Sequence, residues 1–172
     1  MEVKSKNLIL VGGPMGVGKT AACNELKRML GRCAFLDGDW CWDMHPFTVN
    51  AETKKMVMNN ICTLIGSFLA CSGLDNVLFC WVMHEQAAID EIVRRCAGGA
   101  STNVKAFSLV SDEAALRARL QGDIDRGIRE SDVVECALER LTHFSSLNTV
   151  KIDNTRMSTS ETAQKLYEEI MR

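Results

Sequence analysis

Short apolar runs alternate with longer amphipathic stretches along the chain. Asn7–Val11 (NLILV) has strand length and predicts a buried strand. The period then changes to that of a helix over residues 19–30, with Ala22, Leu26, Met29 and Leu30 on one face. Cys33–Leu36 is a second short strand that ends in Asp37-Gly38-Asp39. Residues 51–71 predict a long helix through Met56, Ile61, Leu64, Ile65 and Phe68. Asn76–Met83 (NVLFCWVM) is apolar throughout, as a strand covered on both faces would be. Helical spacing returns over 85–97, and Val104–Val110 is a fourth strand.

Ser111 is placed to cap the next helix, with Asp112 and Glu113 in its first turn near the positive end of the dipole. That helix is predicted to end near Leu120. Residues 121–131 (QGDIDRGIRES) are polar with two glycines and predict a loop. A helix over 132–145 and a short strand over Thr149–Ile152 follow. Asp153-Asn154-Thr155 comes next, and Ser158 with Glu161 fits a capping box opening the last helix. Repeated strand–helix alternation predicts an α/β fold, a parallel sheet with helices on both faces.

Composition narrows this picture. At about 150 residues per domain, 172 residues make one domain, spanning 1–172. The net charge of −2 gives no global attraction to nucleic acid. No apolar stretch is long enough for a membrane span. The eight cysteines stand at 23, 33, 41, 62, 71, 80, 96 and 136, with no zinc-ribbon or thioredoxin-like spacing. They read as reduced thiols of a cytoplasmic protein, mostly small buried hydrophobes. Only Cys41, beside the Asp pair, is placed where a thiol could touch a substrate.

One motif carries specific chemistry. Gly13-Pro14-Met15-Gly16-Val17-Gly18-Lys19-Thr20 fits G-x-x-x-x-G-K-[ST] at every fixed position, between a predicted strand and a predicted helix. Glycines allow positive φ and a close approach of backbone to an anion. Successive N–H groups then converge on one concavity, and the helix N-terminus points at the same spot. Lys19 brings a positive charge to the β- and γ-phosphates of a nucleotide, and Thr20 a hydroxyl to Mg²⁺.

Phosphoryl transfer needs more: an acceptor held in line, a group that orients or deprotonates it, and positive charge around the moving phosphoryl. Asp37 and Asp39 follow the second strand, at the sheet edge where ligands bind in open α/β folds. Either could take the acceptor's proton. Arg119 and Arg126 are the first candidates for the charge, with Arg117 and Arg129 behind them; Gly122 and Gly127 would let the loop move. Asn154 is placed to border the nucleobase. His84 could cap a helix or touch substrate, His45 could contact the acceptor, and His143 falls on a helix. No acid stands inside the third apolar run. Glu85 is the nearest, which argues against a motor or AAA-type ATPase.

These residues resemble small phosphate-loop kinases related to the nucleoside-monophosphate kinases. Gluconate kinase is the nearest in pattern, with shikimate kinase, adenylylsulfate kinase and chloramphenicol phosphotransferase as further relatives. The likeness runs through GGPMGVGKT, FLDGDW, VLFCWVMHEQAAIDEIVRR, FSLVSDEAALRARL and VKIDNTRMSTSETAQKL. It implies a three-layer P-loop fold with a five-stranded parallel sheet, an acceptor-binding segment around 40–72 and a lid around 121–131. It also implies Mg·ATP as donor, with Lys19, Asp37, Asp39 and Arg126 in catalysis. The remaining phosphate-loop residues, Arg119 and Asn154 would hold the nucleotide, and Thr20 the metal. The expected partner is a small-molecule acceptor such as a sugar acid, with no nucleic acid or membrane involved. In place of the basic residues that follow His-Pro in gluconate kinases, Phe47-Thr48-Val49 follows His45-Pro46 here. A nucleoside or nucleotide kinase, and a regulatory nucleotide-binding protein without transfer activity, remain open at this point.

Overall fold

A computed structural model describes residues 5–98, 102–130 and 132–172. β1 (Lys6–Gly12) leads through the glycine loop into α1 (Lys19–Leu30), and β2 (Cys33–Asp37) into a 3₁₀ turn, Gly38–Trp42. Next come α2 (Ala51–Ala70), β3 (Asn76–Cys80), α3 (Gln86–Cys96) and β4 (Thr102–Val110). α4 (Glu113–Asp125) and α5 (Val133–Leu141) precede a second 3₁₀ turn, Thr142–Ser146, and the chain ends with β5 (Val150–Asp153) and α6 (Thr159–Met171). The sheet is parallel throughout in the order β2-β3-β1-β4-β5. Helices cover both faces, as the alternation predicts.

β1 shows why the sheet sits at the centre. Its side chains alternate between the two faces. Ile9 and Val11 pack with Leu26, Leu116, Leu120 and Leu166 from α1, α4 and α6. Leu8 and Leu10 pack with Val57, Ile61, Ile65 and Ile92 from α2 and α3. All four β1 residues are essentially inaccessible. Burying one such side chain contributes roughly 1.5–3 kcal/mol. Because the strands are parallel, their C-terminal ends meet at one edge. Gly12, Asp37, Cys80, Val110 and Asp153 all end there.

Several boundaries differ from the sequence reading, each for a local reason. The cap of α4 is Asp112, whose carboxylate accepts from Ala115 N–H at 2.7 Å; Ser111 is buried and donates to the Asp112 carbonyl. α4 also runs on to Asp125, through half of the expected loop. Gly122 costs a helix about 1 kcal/mol relative to Ala. Gln121–Asp125 and Arg126–Gly122 hydrogen bonds one turn apart offset that cost, and Gly127 (φ +69) closes the helix with its N–H on the Ile124 carbonyl. Ser131, the last residue of the expected loop, lies outside the described residues.

α5 gives way to the 3₁₀ turn at Thr142, where the Thr142, Ser145 and Ser146 hydroxyls bond nearby carbonyls. The buried stripe of α2 is Val57, Ile61, Cys62 and Ile65, while Met56 and Leu64 face outward. On α1, Cys23 belongs to the buried face and Met29 is exposed. β3 stops at Cys80, short of Met83, which adopts a positive φ.

Gly38 is needed for space, since its φ is ordinary. A Cβ there would stand 2.5 Å from Cγ of Trp81. Gly38→Ala therefore forces the indole or the turn to move, at a cost of about 1–3 kcal/mol. Thermal or urea denaturation should show this loss. Unchanged stability would mean that Trp81 is free to shift.

Candidate active site

The sheet edge gathers most of the predicted residues. The phosphate loop leaves β1 at Gly13 (φ +149), whose N–H donates to the Val82 carbonyl at 3.2 Å. A Cβ on Gly13 would meet the Leu109 carbonyl at 2.8 Å, and one on Gly16 (φ +77) would collide with Leu120. Gly18 (φ +97) begins α1 with open space around it. The loop is thus pressed against β4 and α4 on one side and open on the other.

Lys19 sits at the start of α1 and donates from Nζ to the Pro14 carbonyl at 2.9 Å. An ammonium has three donors, so this bond leaves two for phosphate oxygens. Burial pulls the Lys19 pKa down, and nearby charges including those of Asp39 and Asp37 push back. Thr20 Oγ1 donates to Oδ2 of Asp37 at 2.6 Å. Asp37 is buried, and its Oδ1 accepts the Asp39 N–H at 3.0 Å. The two carboxylates therefore differ in place. Asp37 is committed to Thr20 and the turn. Asp39 lines a cleft of about 1000 Å³ that reaches Met15 of the phosphate loop. Partial burial raises the Asp39 pKa above the usual carboxylate value, and the neighbouring Asp37 charge adds to the rise.

The far end of the loop is held by residues distant in sequence. Asn154, buried after β5, donates from Nδ2 to the Val17 carbonyl at 2.8 Å. Arg119 of α4 donates to Asn154 Oδ1 at 3.2 Å and to the carbonyls of Asn154 and Thr155 at 2.7 and 3.2 Å. It also reaches the Val17 carbonyl at 3.5 Å. Arg119 and Asn154 thus fasten the phosphate loop to the loop after β5. Nothing in the sequence pattern signalled this linkage.

The other arginines of α4 and the segment after it sort themselves differently from the order expected. Arg126 is exposed and pairs with Asp123 at 2.7 Å. Arg129 is half-buried, pairs with the same carboxylate at 3.1 Å, and its charge acts on both Lys19 and Asp39. Arg117 pairs with Glu113 and Glu135 at the surface.

His84 and Glu85 line the cleft. Glu85 occupies the cap position of α3, so His84 does not cap it. The His84 ring lies 5.8 Å from that of His143, and burial, reinforced by the Arg140 charge, lowers its pKa. His45 is exposed and outside the cleft lining. Cys41 is buried in the core against α2, away from the position expected for substrate contact; burial raises its thiol pKa.

Comparison with known proteins follows this geometry. A family model described as an AAA domain matches residues 9–138, and the chain belongs to that family. The want of an acid in the third strand argues against a motor or AAA-type ATPase, a narrower class than this family. Membership stands, although β3 indeed holds no acid. No curated protein matches the chain. Among solved structures, a gluconokinase from Sinorhizobium meliloti 1021 is similar at 18% identity and TM-score 0.71, covering 98% of this chain and 94% of that one. The Deinococcus radiodurans tunicamycin resistance protein is similar at 17% and 0.71, covering 96% and 95%. Shikimate kinase from Acinetobacter baumannii, in complex with shikimate, is similar at 19% and 0.63, covering 99% and 94%. The chain shares their P-loop α/β fold over nearly its whole length.

The Asn154 linkage makes a specific prediction. Asn154→Ala removes the donor to the Val17 carbonyl and one acceptor of Arg119, and leaves buried polar groups without partners, at a cost of about 1–3 kcal/mol. Nucleotide affinity measured by calorimetry should fall together with thermal stability. Intact affinity in a destabilised protein would show that the bond serves the fold alone.

Proposed function

We propose that the protein is an ATP-dependent phosphotransferase that acts on a hydroxyl of a small molecule. The observation that carries this reading is the division of labour between the two aspartates. Asp39 lines a cleft that reaches Met15 of the phosphate loop, while Asp37 is tied to Thr20. A protein that only binds nucleotide has no use for a second cleft with a carboxylate at its phosphate end.

The residues present fit both implied groups. Gly16 and Gly18 adopt the positive φ of an anion cradle, and the Lys19 ammonium has donors to spare. Thr20 and Asp37 together offer hard oxygens to Mg²⁺, which binds through few protein groups and keeps several waters. When bound, Mg·ATP supplies the transferable phosphoryl group and neutralises part of its charge. Lys19 would hold the phosphates, and the loop amides would fix their position. Asp39 would orient the acceptor hydroxyl and receive its proton. Arg129 is the arginine nearest this chemistry, with Arg126 able to join it when the segment after α4 moves. Arg119 and Asn154 would serve nucleotide binding by fixing the loop. The gluconokinase and shikimate kinase of the same fold are consistent with this reading.

Two variants test it together. Lys19→Ala should abolish product formation from Mg·ATP across sugar acids, nucleosides and aminoglycosides. Asp39→Asn should lower kcat by about a hundredfold or more while ATP still binds. ATP binding lost with Asp39→Asn, or turnover that survives it, would overturn the assigned role.

The pH profile adds a signed test. Asp39 must be ionised to accept a proton, and its pKa lies above the ordinary aspartate value. Activity should therefore fall on acidification at a pH higher than an ordinary carboxylate would dictate. An acid limb at the ordinary carboxylate position would count against Asp39 as the base.

A further inference from the structure

All three tryptophans of the chain line the same cleft. Trp40 and Trp42 come from the 3₁₀ turn after β2, and Trp81 follows β3. Phe47 joins them, tilted against Trp42 with ring centroids 5.9 Å apart. Two of these rings stand largely free: Trp40 is 58% exposed and Phe47 is 68% exposed. Val49, also exposed, continues the apolar wall. Large apolar surfaces gathered around a concavity mark a binding site more often than they mark packing. At about 1000 Å³, the space suits a compound larger than a simple open-chain sugar.

The polar lining narrows the class. Three carboxylates, Asp39, Asp43 and Glu85, face two cations, Lys54 and Arg140. His84 adds little charge near pH 7, because burial and Arg140 favour its neutral form. An acceptor bearing a carboxylate or phosphate would find no surplus of positive charge here. The phosphate loop already claims Lys19. Flat rings, in contrast, gain from edge or offset contact with Trp and Phe.

We propose that the phosphoryl acceptor is an uncharged, ring-bearing alcohol of the nucleoside kind, with its ring against Trp40 and Phe47 and its hydroxyl at Asp39. This rests on the phosphotransferase reading above and names the substrate class of that same site. The hydroxyl oxygen bonds to the γ-phosphorus, the bond to the β–γ bridging oxygen breaks, and the hydroxyl proton passes to Asp39. The products are ADP and a phosphate monoester.

The cleft carries its own reporter, since every tryptophan lies in it. The full chain, with its nucleotide site filled by Mg·ADP, is titrated with uridine, phenylglycol and gluconate while tryptophan emission is followed. Uridine or phenylglycol should bind at least tenfold more tightly than gluconate. Trp40→Ala and Phe47→Ala should each weaken that binding by about tenfold, the scale of one aromatic contact. ADP affinity should stay unchanged, and Trp40→Phe should restore most of the loss. Tighter binding of gluconate, binding of no compound, or indifference to both alanine variants would overturn the assignment. Transfer from Mg·ATP is then measured on the same compounds. Ring compounds that bind as described and yield no product would overturn the phosphotransferase reading and leave the cleft's preference standing. Phosphorylation of gluconate alone would do the reverse.

Discussion

A loop that offers its backbone N–H groups to an anion cannot use those groups to hold itself in shape. It must be fixed from outside, and the ends of the four other strands contribute to that together with α4. The Val82 carbonyl beyond β3 takes the Gly13 N–H. Leu109 of β4 closes on Gly13, and Leu120 of α4 on Gly16. Asn154 and Arg119 hold the Val17 carbonyl. Asp37 at the end of β2 holds Thr20. Preorganisation of this kind lets donors act on a phosphate without first rearranging. It also explains why the parallel sheet matters. Only parallel strands deliver all these contacts to the same edge.

The same constraint organises the charges. A formal net charge of −2 looks unsuited to binding a polyanion. The positive charge is needed at one point only, and Lys19 provides it in a place where burial weakens its hold on a proton. Asp37, Asp39 and Arg129 surround that point. Two carboxylates close together disfavour joint ionisation, and the structure lessens the conflict by giving them different partners. Asp37 accepts a hydroxyl and an amide hydrogen, while Asp39 takes a hydrogen bond from Trp81 and lines the cleft.

How much of this could be read in advance depends on the distance over which each feature is determined. The phosphate loop, the buried strands and the box at Ser158 and Glu161 are local patterns, and they hold. The cap at the start of α4 slipped by one residue, because Ser111 and Asp112 are both good caps and burial of Ser111 decides between them. The extension of α4 depends on side-chain bonds that outweigh a glycine. The Asn154 bond spans 137 residues of sequence, and no local pattern can show that it falls on Val17. Gly38 looks like a turn glycine, yet its reason is Trp81, which arrives from another strand. No local pattern distinguishes Arg126 from Arg129 either, since Asp123 pairs with both and only Arg129 is half-buried.

Likeness of fold does not carry likeness of substrate. The fold is shared with the solved kinases over nearly the whole chain. Identity near 18% leaves the proposed acceptor side free to diverge. Here that side is built from the 3₁₀ turn after β2, the loop before α2 and the end of β3, and it is aromatic. The Asp-Gly-Asp is itself divided: the first aspartate and the glycine serve Thr20 and Trp81, and only the second aspartate lines the cleft. A motif held by the nucleotide side constrains the acceptor weakly. Under the proposed function the rings beside it weigh more, because a polar, flexible sugar acid would leave them in water.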